Sequence, residues 1–214
     1  MPQVTVADFS VGELRFKSQR LAILPDRVFG EADGILGIDT LRHARIEVDF
    51  KSDKVLLRKA GRAASRDQMT VKVTLRHRGL LLIPARIGRV KVKAIIDTGA
   101  ERSIGNSALL AALQYSYPNL TESGTSNVVG ATAQVALGRT VTAPPIDLGA
   151  GTYIGDLPVT FGDFHVFQVW SLRGEAALVI GMDVLGTLPE LVIDYPRREV
   201  QLEVKLKRAP ESDN

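Results

Sequence analysis

One aspartate, at the end of an apolar run, has the setting in this chain that is best suited to chemistry. The run Ala94-Ile95-Ile96 is typical of a β-strand and leads directly into Asp97-Thr98-Gly99-Ala100. Glycine allows the chain to turn sharply and lets other groups approach its backbone closely. The strand would therefore hold the Asp97 carboxylate on a rigid element in an apolar setting, where it can act as a general acid or base.

Two facing carboxylates can divide the work of acid and base between them. Because both cannot ionise at short distance, they share one proton, and one member is an acid while the other is a base. The base activates a water molecule that attacks a carbonyl carbon, and the acid protonates the carbonyl oxygen. This chemistry needs no metal and no cofactor. Asp-Thr-Gly occurs once in the chain, at Asp97, so a second carboxylate has to come from elsewhere.

An apolar-apolar-Gly element occurs twice and sets the organisation of the chain. Val179-Ile180-Gly181-Met182-Asp183-Val184-Leu185 matches Ile35-Leu36-Gly37-Ile38-Asp39-Thr40-Leu41, which lies 144 residues earlier. A similar pair of predicted strands follows each copy, at 46–57 and at 191–202, where the offset becomes 145. The repeat predicts that residues 1–58 are the second half of a unit whose complete version spans residues 70–206.

Composition and periodicity predict the remaining segments. Residues 59–69 are small, polar and charged and predict a linker, and residues 207–214 predict a disordered tail. Alternating runs predict strands at 70–75, 80–87, 90–96, 140–148, 153–161 and 164–170, with a hairpin within 121–138. Asn106 is the predicted N-cap of a helix over 107–114, and a one-turn helix is predicted at Asp183. The fold class is therefore all-β with two short helices.

Residues 70–206 resemble the retropepsin-like aspartic proteases, in their bacterial single-domain and tandem forms. The resemblance rests on Ile95-Ile96-Asp97-Thr98-Gly99-Ala100, on residues 179–185 and on Val192-Ile193-Asp194-Tyr195. It implies a closed β-barrel with a flap and an aspartic endopeptidase activity that requires a dimer of such units. It also implies a protein or peptide substrate that is bound as an extended strand.

The resemblance also implies a role for each residue of the motifs. Asp97 would be the catalytic aspartate, while Thr98, Gly99 and Ala100 would support its turn. The Thr98 hydroxyl would brace two facing loops, and the Gly99 backbone would face substrate. The predicted flap contains Val129, Gly130 and Ala131, and the predicted structural psi-loop contains Ile180, Gly181 and Asp183.

Two positions depart from the viral members of that family, in which an aspartate after the motif pairs with an arginine that follows the later glycine. Those positions hold Glu101 and Met182 here, so that ion pair is absent. Arg102 and Asp183 are the candidates to replace it. For Asp183 and its counterpart Asp39, helix capping after a glycine turn is the favoured interpretation.

Composition disfavours several other classes of function. The chain has 214 residues, no cysteine and a net charge of +3, so thiol catalysis is excluded. The basic residues form no stripe with aromatics, which argues against nucleic-acid binding. His43, His77 and His165 are isolated and have no metal-ligand spacing. No run reaches transmembrane length and the N-terminus has no signal-peptide pattern, so a periplasmic or envelope location is expected only if further sequence precedes Met1.

Three hypotheses about function remain open at this point. The first is an endopeptidase that acts as a homodimer, with Asp97 of each chain forming the pair. The second is a truncated tandem protease, whose other Asp-Thr-Gly would lie upstream of Met1. The third is a non-catalytic peptide-binding module with a protease-like fold.

Overall fold

A computed structural model of the chain describes residues 2–12, 14–24, 32–59, 69–76, 79–130, 134–149, 151, 153–155 and 157–202. The strands are β1 (Gln3–Val11), β2 (Leu14–Ala22), β3 (Ala44–Asp49), β4 (Lys54–Lys59), β5 (Met69–Lys72), β6 (Thr74–Arg76), β7 (Leu80–Ile87), β8 (Val90–Ile96), β9 (Ile104–Gly105), β10 (Glu122–Val129), β11 (Val135–Ala143), β12 (Ile146–Asp147), β13 (Tyr153–Ile154), β14 (Leu157–Phe161), β15 (Ala177–Ile180), β16 (Glu190–Asp194) and β17 (Glu199–Leu202). The helices are α1 (Ile38–Leu41), α2 (Ser107–Ser116), α3 (His165–Val169) and α4 (Met182–Leu185). The chain is thus mostly β, which confirms the predicted predominance of β structure.

The largest sheet surrounds the end of β8. Its 10 strands follow the order β10-β11-β14-β9-β15-β8-β7-β12-β13, with β6 paired to β7. Strand β15 is parallel to β8 and antiparallel to β9. It therefore lies between the strand that leads to Asp97 and the strand that follows the Asp97 turn. Among the described residues the sheet path ends at β10 and β13, and closure into a barrel stays a prediction.

The main hydrophobic core lies against this sheet and under α2. Alternation in β7 buries Leu81, Ile83 and Ile87, and Leu109 and Leu113 of α2 are also fully buried. Burying one such side chain contributes about 1.5–3 kcal/mol relative to leaving it exposed. The core thus fixes both β8 and the helix that follows the Asp97 turn.

A second sheet joins the N-terminal part of the chain to its C-terminal strands. Its five strands follow the order β4-β3-β16-β17-β5. Strand β3 pairs antiparallel with β16, from Asp49 opposite Glu190 to Arg45 opposite Asp194. Residues 44–59 are therefore built into the same sheet as the end of the complete repeat.

Several predicted elements need correction. The predicted strand over 164–170 is wrong, because its core is helix α3, which begins after Phe164. Phe164 and Phe167 are both buried, and a spacing of three residues places side chains on one face of a helical turn. A short apolar run does not distinguish a strand from a buried helix by periodicity alone. Among the described residues there are four short helices, rather than the two predicted.

Other boundaries differ less. The predicted strand over 70–75 is interrupted at Val73, whose N–H donates to the Arg198 carbonyl at 3.0 Å. Apart from Lys59 and Met69, the predicted linker 59–69 lies outside the described residues, as does the predicted tail 207–214. Within the described part of the chain, no helix combines the length and apolar character that crossing a membrane requires.

Candidate active site

Asp97 lies directly after β8 and is held in a closed turn. Its N–H donates to the Ile180 carbonyl at 3.1 Å, which continues the pairing of β8 with β15. Its Oδ1 accepts a hydrogen bond from the Gly99 N–H at 2.9 Å, and its carbonyl accepts one from the Ala100 N–H at 3.2 Å. A side-chain oxygen that bonds the backbone two residues on stabilises a tight turn. The carboxylate is thus fixed by both the sheet and its own turn.

Partial burial changes the acidity of this carboxylate. Desolvation by burial raises the pKa of Asp97, and the hydrogen bond from Gly99 opposes part of that increase. Burial also raises the pKa of Tyr195 to about 12, and the negative charge of Asp97 contributes to that increase. Tyr195, which follows β16, therefore lies within electrostatic reach of Asp97. Tyr195 belongs to the motif at residues 192–195, but nothing in the sequence indicated that it lies near Asp97.

The other residues of the turn face outward to different extents. Thr98 and Gly99 are exposed, and Ala100 is half-buried. The Thr98 hydroxyl forms no hydrogen bond with any residue that the structure describes.

The turn packs against the second glycine motif with almost no space between them. The Met182 N–H donates to the Ala100 carbonyl at 2.8 Å, and the Asp183 N–H donates to the Glu101 carbonyl at 3.1 Å. A Cβ added at Gly181 would lie 2.8 Å from the Ala100 carbonyl oxygen. Because that neighbour is backbone, only glycine fits at position 181 without moving the Asp97 turn.

Asp183 connects the two loops in a way that the sequence did not predict. Its Oδ1 accepts from the Ser103 hydroxyl at 2.7 Å and its Oδ2 from the Ser103 N–H at 2.9 Å. The same hydroxyl oxygen accepts from the Gly181 N–H at 3.1 Å. Ser103 is buried, so these bonds replace hydration that its polar groups have lost. Nothing near Ser103 in the sequence marks it for this contact.

Two interpretations of Asp183 are therefore wrong. The N-cap residue of α4 is Gly181, which has no side-chain cap bond, so Asp183 lies inside the helix rather than capping it. Asp183 also does not pair with Arg102, whose Nε lies 3.8 Å from Glu101 Oε1 on the exposed surface. The side chain of its counterpart Asp39 lies outside what the structure describes.

Asn106 anchors the helix that follows the site. Its Oδ1 accepts from the Leu109 N–H at 2.9 Å, which confirms the predicted N-cap of α2, and from the Ala177 N–H at 3.2 Å. Its Nδ2 donates to the carbonyls of Leu172 and Glu175, at 2.7 and 2.6 Å. One buried amide thus joins α2 to the segment that leads into β15.

The hairpin of β10 and β11 contains the predicted flap. The Gly130 N–H donates to the Gln134 carbonyl at 2.8 Å near the tip, and Val129 is exposed there. Ala131 lies outside the described residues. Val128, before the tip, and Ala100 of the Asp97 turn pack against the same small cluster of buried side chains. Residues next to the hairpin tip therefore share a buried cluster with the Asp97 turn, while Val129 beside them is exposed.

The described residues offer no group of three or more histidine, aspartate or glutamate side chains that could hold a metal ion. His43 and His165 are exposed, and His77 lies outside the described residues.

No protein-family model matches the sequence. No curated protein matches it either. Among solved structures, this chain is similar to a retropepsin-like aspartic protease from Rickettsia conorii, with 16% identity, a TM-score of 0.42, and coverage of 66% of this chain and 96% of that one. It is also similar to the retroviral protease-like domain of Ddi1 from Leishmania major, with 22% identity, a TM-score of 0.39, and coverage of 59% and 90%.

A further similar structure is conglutin gamma, a basic 7S globulin from lupine seeds. The identity is 13% and the TM-score 0.36, with coverage of 65% of this chain and 41% of that one. Because every one of these TM-scores is below 0.5, the function of this chain is inferred from its own residues and geometry.

Proposed function

We propose that Asp97 is one of the two catalytic aspartates of an aspartic endopeptidase. The observation that carries this proposal is the Asp97 turn, in which a half-buried carboxylate with a raised pKa is fixed at the end of β8. A raised pKa favours the protonated form, which a pair of carboxylates needs in order to share one proton. The second carboxylate comes from another Asp-Thr-Gly turn, supplied by dimerisation or by further sequence.

The other residues of the site support this reaction without taking part in it. The exposed hydroxyl of Thr98 donates to the facing turn, and Gly99 leaves backbone open to substrate. Ile180, Gly181 and Asp183 hold the turn from behind. The Ile180 carbonyl accepts from the Asp97 N–H, the Gly181 N–H donates to the Ser103 hydroxyl, and Asp183 bonds both Glu101 and Ser103. The hairpin tip, with Val129, Gly130 and Ala131, covers a peptide that is bound as an extended strand.

The same proposal gives the organisation of the chain. Residues 70–206 form the complete protease unit, and residues 1–58 form the second half of another such unit, joined to it by the linker 59–69. The pairing of β3 with β16 supports this, because it places the strand pairs of the two repeat copies side by side.

The test is cleavage of an unfolded protein substrate from acidic to neutral pH, with mass recorded by light scattering. We expect Asp97→Asn to lower the rate by at least about 100-fold, which is typical for the loss of a general acid–base group. Asp163→Asn is the matched control, because Asp163 is exposed and lies 3.8 Å from Arg173, outside the site. Cleavage that survives in Asp97→Asn would contradict the proposal.

A second candidate function is peptide binding without cleavage. Val129, Val135 and Leu137 leave an exposed apolar surface along the hairpin, which is suited to contact with an extended chain. This function predicts that Asp97→Ala binds a fluorescent peptide as tightly as the unchanged chain does, and that neither cleaves it.

A further inference from the structure

Ile35 and Leu36 are exposed although their counterparts in the sequence repeat are buried. Ile35 is 64% exposed and its counterpart Val179 is 1% exposed. Leu36 is 37% exposed and its counterpart Ile180 is 0% exposed. The residue types match, so the difference lies in what covers each pair. Val179 and Ile180 lie in β15 and pair with the last two residues of β8, whereas residues 35–36 have no strand partner among the described residues.

Strand β4 shows the same contrast. Val55 is 62% exposed, while its counterpart Val200 in β17 is 0% exposed. Val200 pairs with Val71 of β5, whereas β4 is the outermost strand of its sheet and has β3 as its neighbour. Strand β2 lies near β4 but pairs with β1, so the outer edge of β4 has no strand partner among the described residues and can pair with another strand.

One continuous segment covers both β15 and β17, which are the buried counterparts of residues 35–36 and β4. Strand β5 lies on β17, strand β8 lies on β15, and both belong to residues 69–96. That segment ends directly before Asp97. A single missing segment of the same kind would therefore cover both residues 35–36 and β4.

The pairing of β3 with β16 shows where such a segment would lie. Glu47 and Val192 are counterparts in the repeat, and they stand opposite each other in this pairing. Val48 and Ile193 are also counterparts in the repeat, as are Ile46 and Leu191. Val48 stands opposite Leu191 and Ile46 stands opposite Ile193, which is the arrangement that a local twofold axis between the two copies produces. The axis that relates β3 to β16 also relates β4 to β17. The equivalent of β5 is therefore a sixth strand that lies along β4 and continues the same sheet.

We propose that Ile35, Leu36 and strand β4 form a docking surface for a polypeptide segment from outside residues 1–214. The segment begins with a strand along β4 and ends with an apolar strand along residues 35–36 that is followed by an aspartate. This inference rests on the proposed function, because the twofold relation makes the docked aspartate the counterpart of Asp97. The docked segment is then the source of the second carboxylate.

A second copy of the chain does not fit as the occupant. Each copy has one such segment, and that segment is already committed to its own unit, where Ile95 is 0% and Ile96 5% exposed. Each copy would need two segments, one for its own complete unit and one for its docking surface, but it supplies only one. Copies alone therefore leave half of these surfaces uncovered.

Charge further specifies the docking strand. In the complete unit, Lys72 of β5 forms a salt bridge with Glu199 of β17. The counterpart of Glu199 is Lys54 of β4. The strand that docks on β4 therefore carries an acidic residue opposite Lys54, since like charges directly opposite destabilise a strand pair.

The test supplies this segment to the full chain. The probe is a second copy of residues 69–100, with Lys72→Glu in the added copy, fused before Met1 through a flexible linker. Hydrogen–deuterium exchange is measured at the amides of residues 35–36 and 54–57, without substrate. We expect exchange at both places to slow by at least tenfold, since paired and buried amides exchange only through opening. The matched control is the same fusion with Ile95→Lys and Ile96→Lys in the added copy, which should protect neither place.

Each outcome bears on the inference. Unchanged exchange in the fusion would overturn it, and so would protection of both places in the unfused chain with the mass of a dimer. Substitution of Ile35 by Lys in the fusion should restore fast exchange at residues 35–36, and protection that survives it would show that the segment lies elsewhere. Protection without cleavage would refute the proposed protease function alone, whereas cleavage without protection would refute the docking surface alone.

Discussion

Ser103 and Asp183 are 80 residues apart in the chain, yet they share two hydrogen bonds, at 2.7 and 2.9 Å. These bonds join the loop after the Asp97 turn to the loop after β15. The Gly181 N–H adds a third bond to the Ser103 hydroxyl. The position of the Asp97 turn therefore depends on a polar contact behind it as well as on the pairing of β8.

Replacing Asp183 by alanine should destabilise the fold by about 1–3 kcal/mol, because both polar groups of buried Ser103 then lose their acceptor. Asp183→Asn keeps one acceptor oxygen and should lose less. Urea denaturation measures the change, with Asp163→Ala as the exposed control. If Asp183→Ala and Asp163→Ala unfold at the same urea concentration, the contact adds nothing to stability.

Asp97 should make stability depend on pH in the direction opposite to that of an ordinary ion-paired aspartate. Its pKa in the folded chain is raised above 3.8, the ordinary value for an aspartate, so the folded state binds more protons than the unfolded state between these two pKa values. The contribution of Asp97 is therefore most favourable below pH 3.8 and is lost as the pH rises through the folded pKa.

The corresponding variant is Asp97→Asn, which cannot ionise. We expect its free energy of unfolding to exceed that of the unchanged chain at about pH 7, with the difference shrinking as the pH falls below the unfolded pKa. Urea denaturation at both pH values measures this. A variant that is less stable at neutral pH would show that the charged form of Asp97 is favoured by the fold.

Local features of this site could be read from the sequence, since they depend on neighbouring residues. Asn106 correctly predicted the start of α2, because an N-cap is a property of a few consecutive residues. The bounds of β7, Leu80–Ile87, were also predicted correctly from its alternation.

Contacts between distant residues could not be read in this way. Ser103 and Asp183 have ordinary sequence surroundings, and only the crossing of their two loops makes them partners. The buried state of Arg45 was also not foreseen, because it depends on the pairing of β3 with β16. A single sequence gives the faces of strands but not the register between strands that are 145 residues apart.

Arg45 connects the two copies of the repeat through a buried polar network. Its Nε donates to Glu47 at 2.8 Å, its Nη1 to Asp194 at 3.3 Å and its Nη2 to Gln201 at 3.1 Å. Asp194 is 0% exposed, so its charge relies on this arginine and on the Arg197 N–H, which donates to it at 3.0 Å.

Replacing Arg45 by methionine should destabilise the chain by about 3–5 kcal/mol, because it leaves the Asp194 charge buried without its ion-pair partner. The double variant Arg45→Met with Asp194→Asn should lose less than the sum of the single changes, since the unpaired charge is then gone. Arg58→Met is the matched control, because Arg58 is exposed and its Nε pairs with Glu47 at 3.3 Å, a contact worth under about 1 kcal/mol. Denaturation of all four variants measures the coupling, and additive losses would show that Arg45 and Asp194 stabilise the chain independently of each other.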